Sequence, residues 1–103
     1  MPNFSENLQQ LAPTDGWLRL SLLGADGQTL AVIENAPGTQ GSFRVYRHVA
    51  EKWGGLGIDA AQEALILFSE HTDDARQHPG KHPNIDRLFD IVARNIRMEV
   101  RCE

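Results

Sequence analysis

The sequence has a single cysteine, Cys102, no long hydrophobic run and no excess of basic residues. One thiol cannot form an internal disulfide, so the cysteine content does not indicate an oxidising compartment. No segment approaches the roughly 18 apolar residues of a membrane-spanning helix, and the first residues lack the basic start and apolar core of a secretion signal. We therefore expect a small soluble cytoplasmic protein that does not bind membranes.

Positive charge is also scarce. Ten Lys and Arg residues against 14 Asp and Glu residues give a net charge of -4. Domains that bind nucleic acid through charge usually present a basic face, so nucleic acid is not an expected partner. The hydrophobic fraction of 41% is ordinary for a globular protein. A chain of 103 residues predicts one domain over residues 1–103.

Two segments with alternating apolar residues, 17–23 and 29–34, predict a β-hairpin. Asp26-Gly27 between them favours a type I′ turn, in which both central residues need positive φ. That turn would pair Arg19 with Glu34, Ser21 with Val32, and Leu23 with Leu30. The opposite face would be apolar and face the core through Leu18, Leu20, Leu22, Ala31 and Ile33. Residues 96–102 alternate in the same way and predict a third strand.

Apolar residues at helical spacing predict helices at 5–11, at 43–53, from Asp59 to a point before residue 79, and from residue 83 onward. Ser42 is the expected N-cap of the second helix, and Asp59 begins a capping-box pattern. The third helix, which includes Ile66, is apolar on most sides and is expected to be buried on most sides.

Strands and helices are segregated along the chain, which predicts an α+β fold. We expect a three-stranded, mainly antiparallel sheet, made of the hairpin and the C-terminal strand, with helices packed on one face. The edge of this sheet is where a second copy could pair to form a homodimer.

The polar segment 70–87 is the first candidate functional site, because it holds three of the four histidines. On a continued helix, residues 71, 74 and 78 would share a face, and residue 82 could fold back over the turn at 79–80. Arg76 or Arg87 would hold an anionic substrate. The candidate ligand-binding residues are Glu70, His71, Asp74, Arg76, His78, His82, Asp86 and Arg87.

Four of these residues are candidate metal ligands: His71, Asp74, His78 and His82. Imidazole and carboxylate groups suit Zn²⁺ or another transition metal. Histidine also suits proton transfer near neutral pH. Their spacing matches no recognised zinc signature, so the other interpretation is a polar structural loop between two helices, with turns shaped by the two His-Pro pairs.

The segment 35–44, which precedes the second helix, is the second candidate. Free N–H groups at a helix N-terminus attract anions, and Gly38 and Gly41 let a ligand approach the backbone. Ser42, Arg44 and Arg47 would add donors to a phosphate or carboxylate. The glycine spacing does not match a P-loop, and an ordinary strand-to-helix loop is the alternative.

Several runs resemble a small, uncharacterised family of proteobacterial proteins of about this length. They are Gly41-Ser-x-Arg-Val-Tyr46, Glu70-His-Thr-x-Asp-Ala-Arg76, His-Pro-Gly80 and His82-Pro-Asn-Ile-Asp-Arg-Leu88. The resemblance covers nearly the whole chain. It implies a bacterial single-domain protein and supplies no activity, cofactor or catalytic residue.

The sequence favours a binding or interaction domain, because it contains no complete catalytic motif. The alternative is a small metal- or anion-binding enzyme that uses segment 70–87 together with the turn from Gly38 to Arg47. No cofactor is identified by the sequence. Whether these two segments meet around one pocket is the observation that most affects the choice.

Overall fold

The computed structural model describes residues 2–103, which form five α-helices and one three-stranded sheet. In chain order the elements are α1 (Phe4–Gln9), β1 (Arg19–Leu23), β2 (Thr29–Glu34), α2 (Gln40–Trp53), α3 (Ile58–Phe68), α4 (Glu70–Gln77), α5 (Pro83–Arg94) and β3 (Glu99–Cys102). The strand order is β2-β1-β3, and both pairings are antiparallel. The predicted α+β class, with helices packed against the sheet, is confirmed.

The register of the hairpin agrees with the prediction over most of its length. Two of the predicted pairs are confirmed, Arg19 with Glu34 and Ser21 with Val32. The third is wrong, since Leu23 lies opposite Thr29 rather than Leu30. The cause is an irregularity in the ladder between Leu22 and Leu23, which shifts the pairing by one residue.

The turn of the hairpin is longer than the predicted two-residue turn. The N–H of Gly24 donates to the carbonyl of Gln28, and the N–H of Gly27 donates to the carbonyl of Gly24. Gly27 has a φ of 82°, whereas Asp26 is not among the described residues with positive φ, so the type I′ prediction is wrong. Asp26 instead accepts a bond of 2.9 Å from the N–H of Gln28, which favours this longer turn.

The inner face of the sheet packs on α2. Leu20, Leu22 and Ile33 are buried, and α2 covers them with a row of apolar residues at helical spacing: Phe43, Val45, Tyr46 and Val49. Leu18 was expected in this layer, but 62% of its surface is exposed. β1 begins at Arg19, two residues later than predicted, so Leu18 precedes the strand.

The predicted long third helix is two helices. Ser69 has a φ of 52° and a ψ of -116°, which no helix accommodates, and it separates α3 from α4. The Thr72 hydroxyl is buried at this corner and donates to the carbonyl of Leu65 over 2.6 Å. The two predictions for α3 itself are wrong: Ile66 is 68% exposed, and Gly57 is the N-cap, since the helix begins at Ile58 before Asp59.

α1 is short and lies on the surface. Asn3 caps it through a reciprocal capping box with Glu6. It has no buried residue and ends at Gln9, before the predicted end at Leu11. The last strand is likewise shorter than predicted, because Met98 forms an isolated bridge with Leu56 before β3 begins. No helix among residues 2–103 is long and apolar enough to span a bilayer.

Candidate functional site

A cleft of 540 Å³ lies where α1, the start of α2 and the loop before α5 meet. Residues from four parts of the chain line it: residues 4 and 8 of α1, four residues between 38 and 42, residues 68 and 71 at the α3–α4 corner, and residues 81–85. We call it the α1–α2–α5 cleft. Both candidate segments of the sequence therefore contribute to one cleft.

The apolar end of the cleft is built from aromatic rings. Phe4 stacks on Phe68 with ring centroids 5.3 Å apart, and it meets the His71 ring edge-on at 4.9 Å. Phe4 comes this close to α2 because residue 41 is glycine. A Cβ atom at Gly41 would lie 2.9 Å from Cζ of Phe4, so any side chain there would push α1 away.

The polar end is organised by the carboxylate of Asp74. It accepts a hydrogen bond of 2.6 Å from Nε2 of His82 and one of 2.9 Å from Nζ of Lys81. These two bonds hold the pKa of Asp74 at about 2, well below its usual value. His78 lies further away, with Nε2 at 3.8 Å. Asp74 is thus an ionised anchor that fixes two residues of the cleft wall.

The lining of the cleft is electrostatically one-sided. It contains Lys81, His71 and His82, whereas none of the lining residues is Asp or Glu. This distribution contrasts with the whole chain, in which acidic residues outnumber basic ones. Asp74 lies outside the lining, so an anionic group in the cleft would meet Lys81 and no lining carboxylate.

Two helices begin at the cleft without a side-chain cap. The hydroxyl of Thr39, the N-cap residue of α2, donates to the carbonyl of Glu34 over 2.6 Å, and α5 begins at Pro83. Ser42 was predicted to be the N-cap of α2, but it lies inside the first helical turn. The cause is that the helix begins at Gln40, before the first apolar residue of its core-facing stripe.

The two arginines of the second candidate segment do not line the cleft. Arg44 donates to the carbonyl of Ala12 over 3.1 Å. Arg47 pairs with Glu51 at 3.0 Å and lies over the ring of Trp17. Of the predicted donors in this segment only Ser42 lines the cleft, because residues two and five positions along a helix point to other sides.

Two residues of the first segment hold its ends in place. Glu70 accepts the N–H of Phe4 over 2.8 Å, and this bond lowers the pKa of the Glu70 carboxyl. Asp86 accepts the N–H of Gly80 over 2.9 Å and closes the loop before α5. Neither carboxylate lines the cleft, although Glu70 attaches α1 to its rim.

The arginines of the first segment are also engaged elsewhere. Arg76 pairs with Asp73 at 3.2 Å, lies over the ring of Phe89 and does not line the cleft. Arg87 donates to the hydroxyl of Tyr46 over 3.1 Å and to Oδ1 of Asn84 over 2.9 Å. Arg87 thus supports the cleft from behind by tying α5 to α2.

The candidate metal ligands come only partly together. Asp74, His78 and His82 lie near one another, and the His71 ring is 5.8 Å from the His82 ring. No group of three or more His, Cys, Asp or Glu side chains within residues 2–103 is arranged to hold a metal ion. The ammonium group of Lys81 supplies the positive charge beside Asp74. The geometry therefore does not support a metal centre.

Sequence reasoning missed several residues of the cleft. Phe4, Leu8 and Phe68 are apolar residues at helical spacing, a pattern that predicts core packing and not a site. Lys81 lies inside segment 70–87, which was already a candidate site. It is the one lysine of that segment, and this feature could have identified it as a site residue. Nothing in the sequence indicated that α1 lines the site, because residues 4 and 68 are brought together only by the tertiary fold.

Comparison with known proteins places the chain in one family. No curated protein and no solved structure shows significant similarity to it. A family described as uncharacterized proteins conserved in bacteria (DUF2322) matches residues 4–102. The match includes every segment that lines the cleft. It also confirms the resemblance noted in the sequence, and the chain therefore belongs to this bacterial family.

Proposed function

We propose that this protein is a small-molecule-binding domain and that the α1–α2–α5 cleft is its binding site. The observation that carries the proposal is that two polar segments, about 30 residues apart in sequence, line one cleft of 540 Å³. Pockets that hold small organic ligands have volumes of roughly 300–1,000 Å³ and combine apolar walls with a few polar groups. Cellular location remains a prediction, and we propose the bacterial cytoplasm.

The two ends of the cleft suit two parts of a ligand. Rings such as Phe4 and Phe68 offer apolar surface, whose burial against a ligand contributes roughly 25 cal/mol per Å². Lys81 and His82 are held by Asp74, so a ligand would not have to immobilise them. Polar groups that are already ordered lower the entropic cost of binding.

A fragment screen by NMR spectroscopy tests this proposal. Binding is expected to shift the amide signals of Gly41, His71 and Lys81, which lie on three sides of the cleft. A ligand at 100 times its dissociation constant should also add about 2.7 kcal/mol to the free energy of unfolding. A Ser42→Leu substitution should abolish binding by filling the cleft.

Ser5→Leu is the matched control, because Ser5 also lies in the first turn of a helix but not in the cleft lining. It should bind the same fragments as the unmodified protein. If fragments bind equally well to Ser42→Leu, or shift amides remote from the cleft, the cleft is not the site.

Proton transfer by His82 is a second candidate function. It is favoured by the hydrogen bond between His82 and Asp74, since a carboxylate that orients a histidine is a recurring arrangement in acid–base catalysis. The test is a broad screen for hydrolase and isomerase turnover. Activity that His82→Gln abolishes and Lys52→Gln preserves would support it, and activity unchanged by His82→Gln would exclude it.

A second copy of the chain is a proposed partner. β2 is an edge strand, and the outward side chains of Leu30 and Val32 are about half exposed. Edge strands of this kind pair readily with another chain. Light scattering is expected to show a dimer that Val32→Lys converts to a monomer, and a monomer at all concentrations would contradict this pairing.

A further inference from the structure

We infer that the ligand of the α1–α2–α5 cleft is a small aromatic anion, an aromatic ring that carries a carboxylate or a phosphate. This inference rests on the proposed function, since it names the chemical class that the same cleft accepts. It joins two independent features of the lining, the one-sided charge of its polar end and the aromatic rings of its apolar end.

Charge complementarity carries the first part of the inference. The lining has one lysine, two histidines and no acidic residue, in a molecule whose net charge is -4. An organic cation would meet no carboxylate among the lining residues, because Asp74 lies outside the lining and is already paired with Lys81 and His82. An anion would meet Lys81, and a charge-assisted hydrogen bond to an ammonium group is about twice as strong as a neutral one.

Asp74 leaves donors free on Lys81, one of the two residues that it holds. A lysine ammonium has three N–H donors, and the bond to Asp74 uses one of those on Lys81. The same carboxylate uses the Nε2–H donor of His82. Asp74 therefore acts as a positioning residue for both side chains, and the remaining N–H donors of Lys81 can bind an oxyanion.

The aromatic walls carry the second part of the inference. The rings of Phe68, Phe4, His71 and His82 follow one another in this order at centroid separations of 4.9 to 5.8 Å. Pairing an aromatic ring with such walls stabilises a complex beyond the burial of apolar area. A flat ring with an anionic substituent would use both ends of the cleft, whereas an inorganic anion would use only one.

Calorimetry with three probes tests the inference: 2-naphthoate, its neutral amide 2-naphthamide, and inorganic phosphate. We expect 2-naphthoate to bind about tenfold or more tightly than either of the others. Lys81→Gln should weaken 2-naphthoate about tenfold, which corresponds to about 1.4 kcal/mol, and should leave 2-naphthamide unchanged. Lys52→Gln is the matched control, since Lys52 is the other lysine of the chain and pairs with Glu63 away from the cleft.

The outcomes separate this inference from the function on which it rests. If 2-naphthamide binds as tightly as 2-naphthoate and Lys81→Gln has no effect, the site does not select anions, but the proposal that the cleft is a binding site stands. If phosphate binds as tightly as 2-naphthoate, the inference that the ligand carries an aromatic ring is wrong. If none of the probes binds and no fragment of any class shifts the amides of the cleft, both the inference and the proposed function fail.

Discussion

Tyr46 joins the two helices that begin at the cleft. Its ring is fully buried in the core, and its hydroxyl donates to the carbonyl of Asn84 in the first turn of α5. The same oxygen accepts a bond from Arg87. Burial raises the pKa of Tyr46 to about 12, although the neighbouring guanidinium lowers it in part. One phenol thus fixes the distance between α2 and α5 behind the cleft.

Titration of this phenol can be followed without mutagenesis, because Tyr46 is the one tyrosine of the chain. We expect tyrosinate absorbance to develop at about pH 12, whereas an exposed tyrosine titrates near its ordinary value of 10.0. Because the folded pKa is raised, the protein should lose stability as pH rises from about 10 to 12. Circular dichroism recorded in parallel shows whether the chain stays folded, and ionisation near pH 10 in the folded protein would contradict the buried position.

Individual site residues were predictable where they are close in sequence. His82 and Asp74 lie eight positions apart across one turn, and their contact follows from the local path of the chain. Arg44 and Arg47 were grouped with Ser42, but a helix turns by about 100° per residue. Each of the three side chains therefore leaves α2 in a different direction, and only one reaches the cleft.

α1 depends on its contacts with the rest of the molecule. A helix of six residues is not stable alone in water, since isolated helices shorter than about 12 residues are marginal. Its attachments are the bond from the N–H of Phe4 to Glu70, the bond from the Asn7 amide to the carbonyl of Leu67, and the stacking of Phe4 on Phe68. α1 is consequently the wall of the cleft that is easiest to detach.

A Gly41→Ala substitution should loosen this wall. The new methyl group would lie 2.9 Å from the Phe4 ring, and relieving such crowding costs about 1–3 kcal/mol. Amide hydrogen exchange in α1 should then accelerate at least about fivefold, the factor that corresponds to about 1 kcal/mol. In a Phe4→Ala background the same substitution should not destabilise α1, because the ring that the new methyl group would crowd is absent. Equal acceleration in both backgrounds would rule out the clash.

For the secondary-structure elements, the sequence predicted whether a segment is a helix or a strand better than it predicted where each element begins and ends. Strands and helices were identified from their periods, whereas the break at Ser69 was missed because it contains neither glycine nor proline. The conformation of Ser69 is imposed by tertiary contacts, among them the bond from its hydroxyl to the carbonyl of Pro2. Such contacts leave no periodic signal in the sequence.

The whole molecule should be sensitive to acid, because two carboxylates at the rim of the cleft stabilise the fold only when ionised. The pKa of Asp74 is about 2 owing to His82 and Lys81, and the pKa of Glu70 is lowered by the N–H of Phe4. A carboxylate with a lowered pKa stabilises the native state above its unfolded pKa, and this contribution is lost as pH falls.

Urea denaturation at a series of pH values measures this effect. We expect the free energy of unfolding to fall between about pH 4 and pH 2, and Asp74→Asn to make the fall shallower. Asp90→Asn is the control, since the side chain of Asp90 is exposed on α5 and is in no hydrogen bond or ion pair within residues 2–103. An unchanged slope in Asp74→Asn would show that the pairs with His82 and Lys81 do not form in solution.

The fold class of the whole molecule was predictable because strands and helices occupy separate stretches of the chain. The cleft was not. Its apolar wall uses residues of α1 and of the α3–α4 corner, which the sequence marks only as core positions. A cavity is defined by where side chains fail to fill space, and that depends on the final packing of all the elements.

The walls of the cleft come from segments far apart in the chain, from Phe4 to Ile85, which has a consequence for the order of folding. Contacts between distant residues form late, since the loop between them must first be closed. α1 has no buried residue to anchor it early and can dock only after the α3–α4 corner exists. During synthesis α1 would thus leave the ribosome before the other walls of the cleft but dock after them, once the segments up to Ile85 have been made.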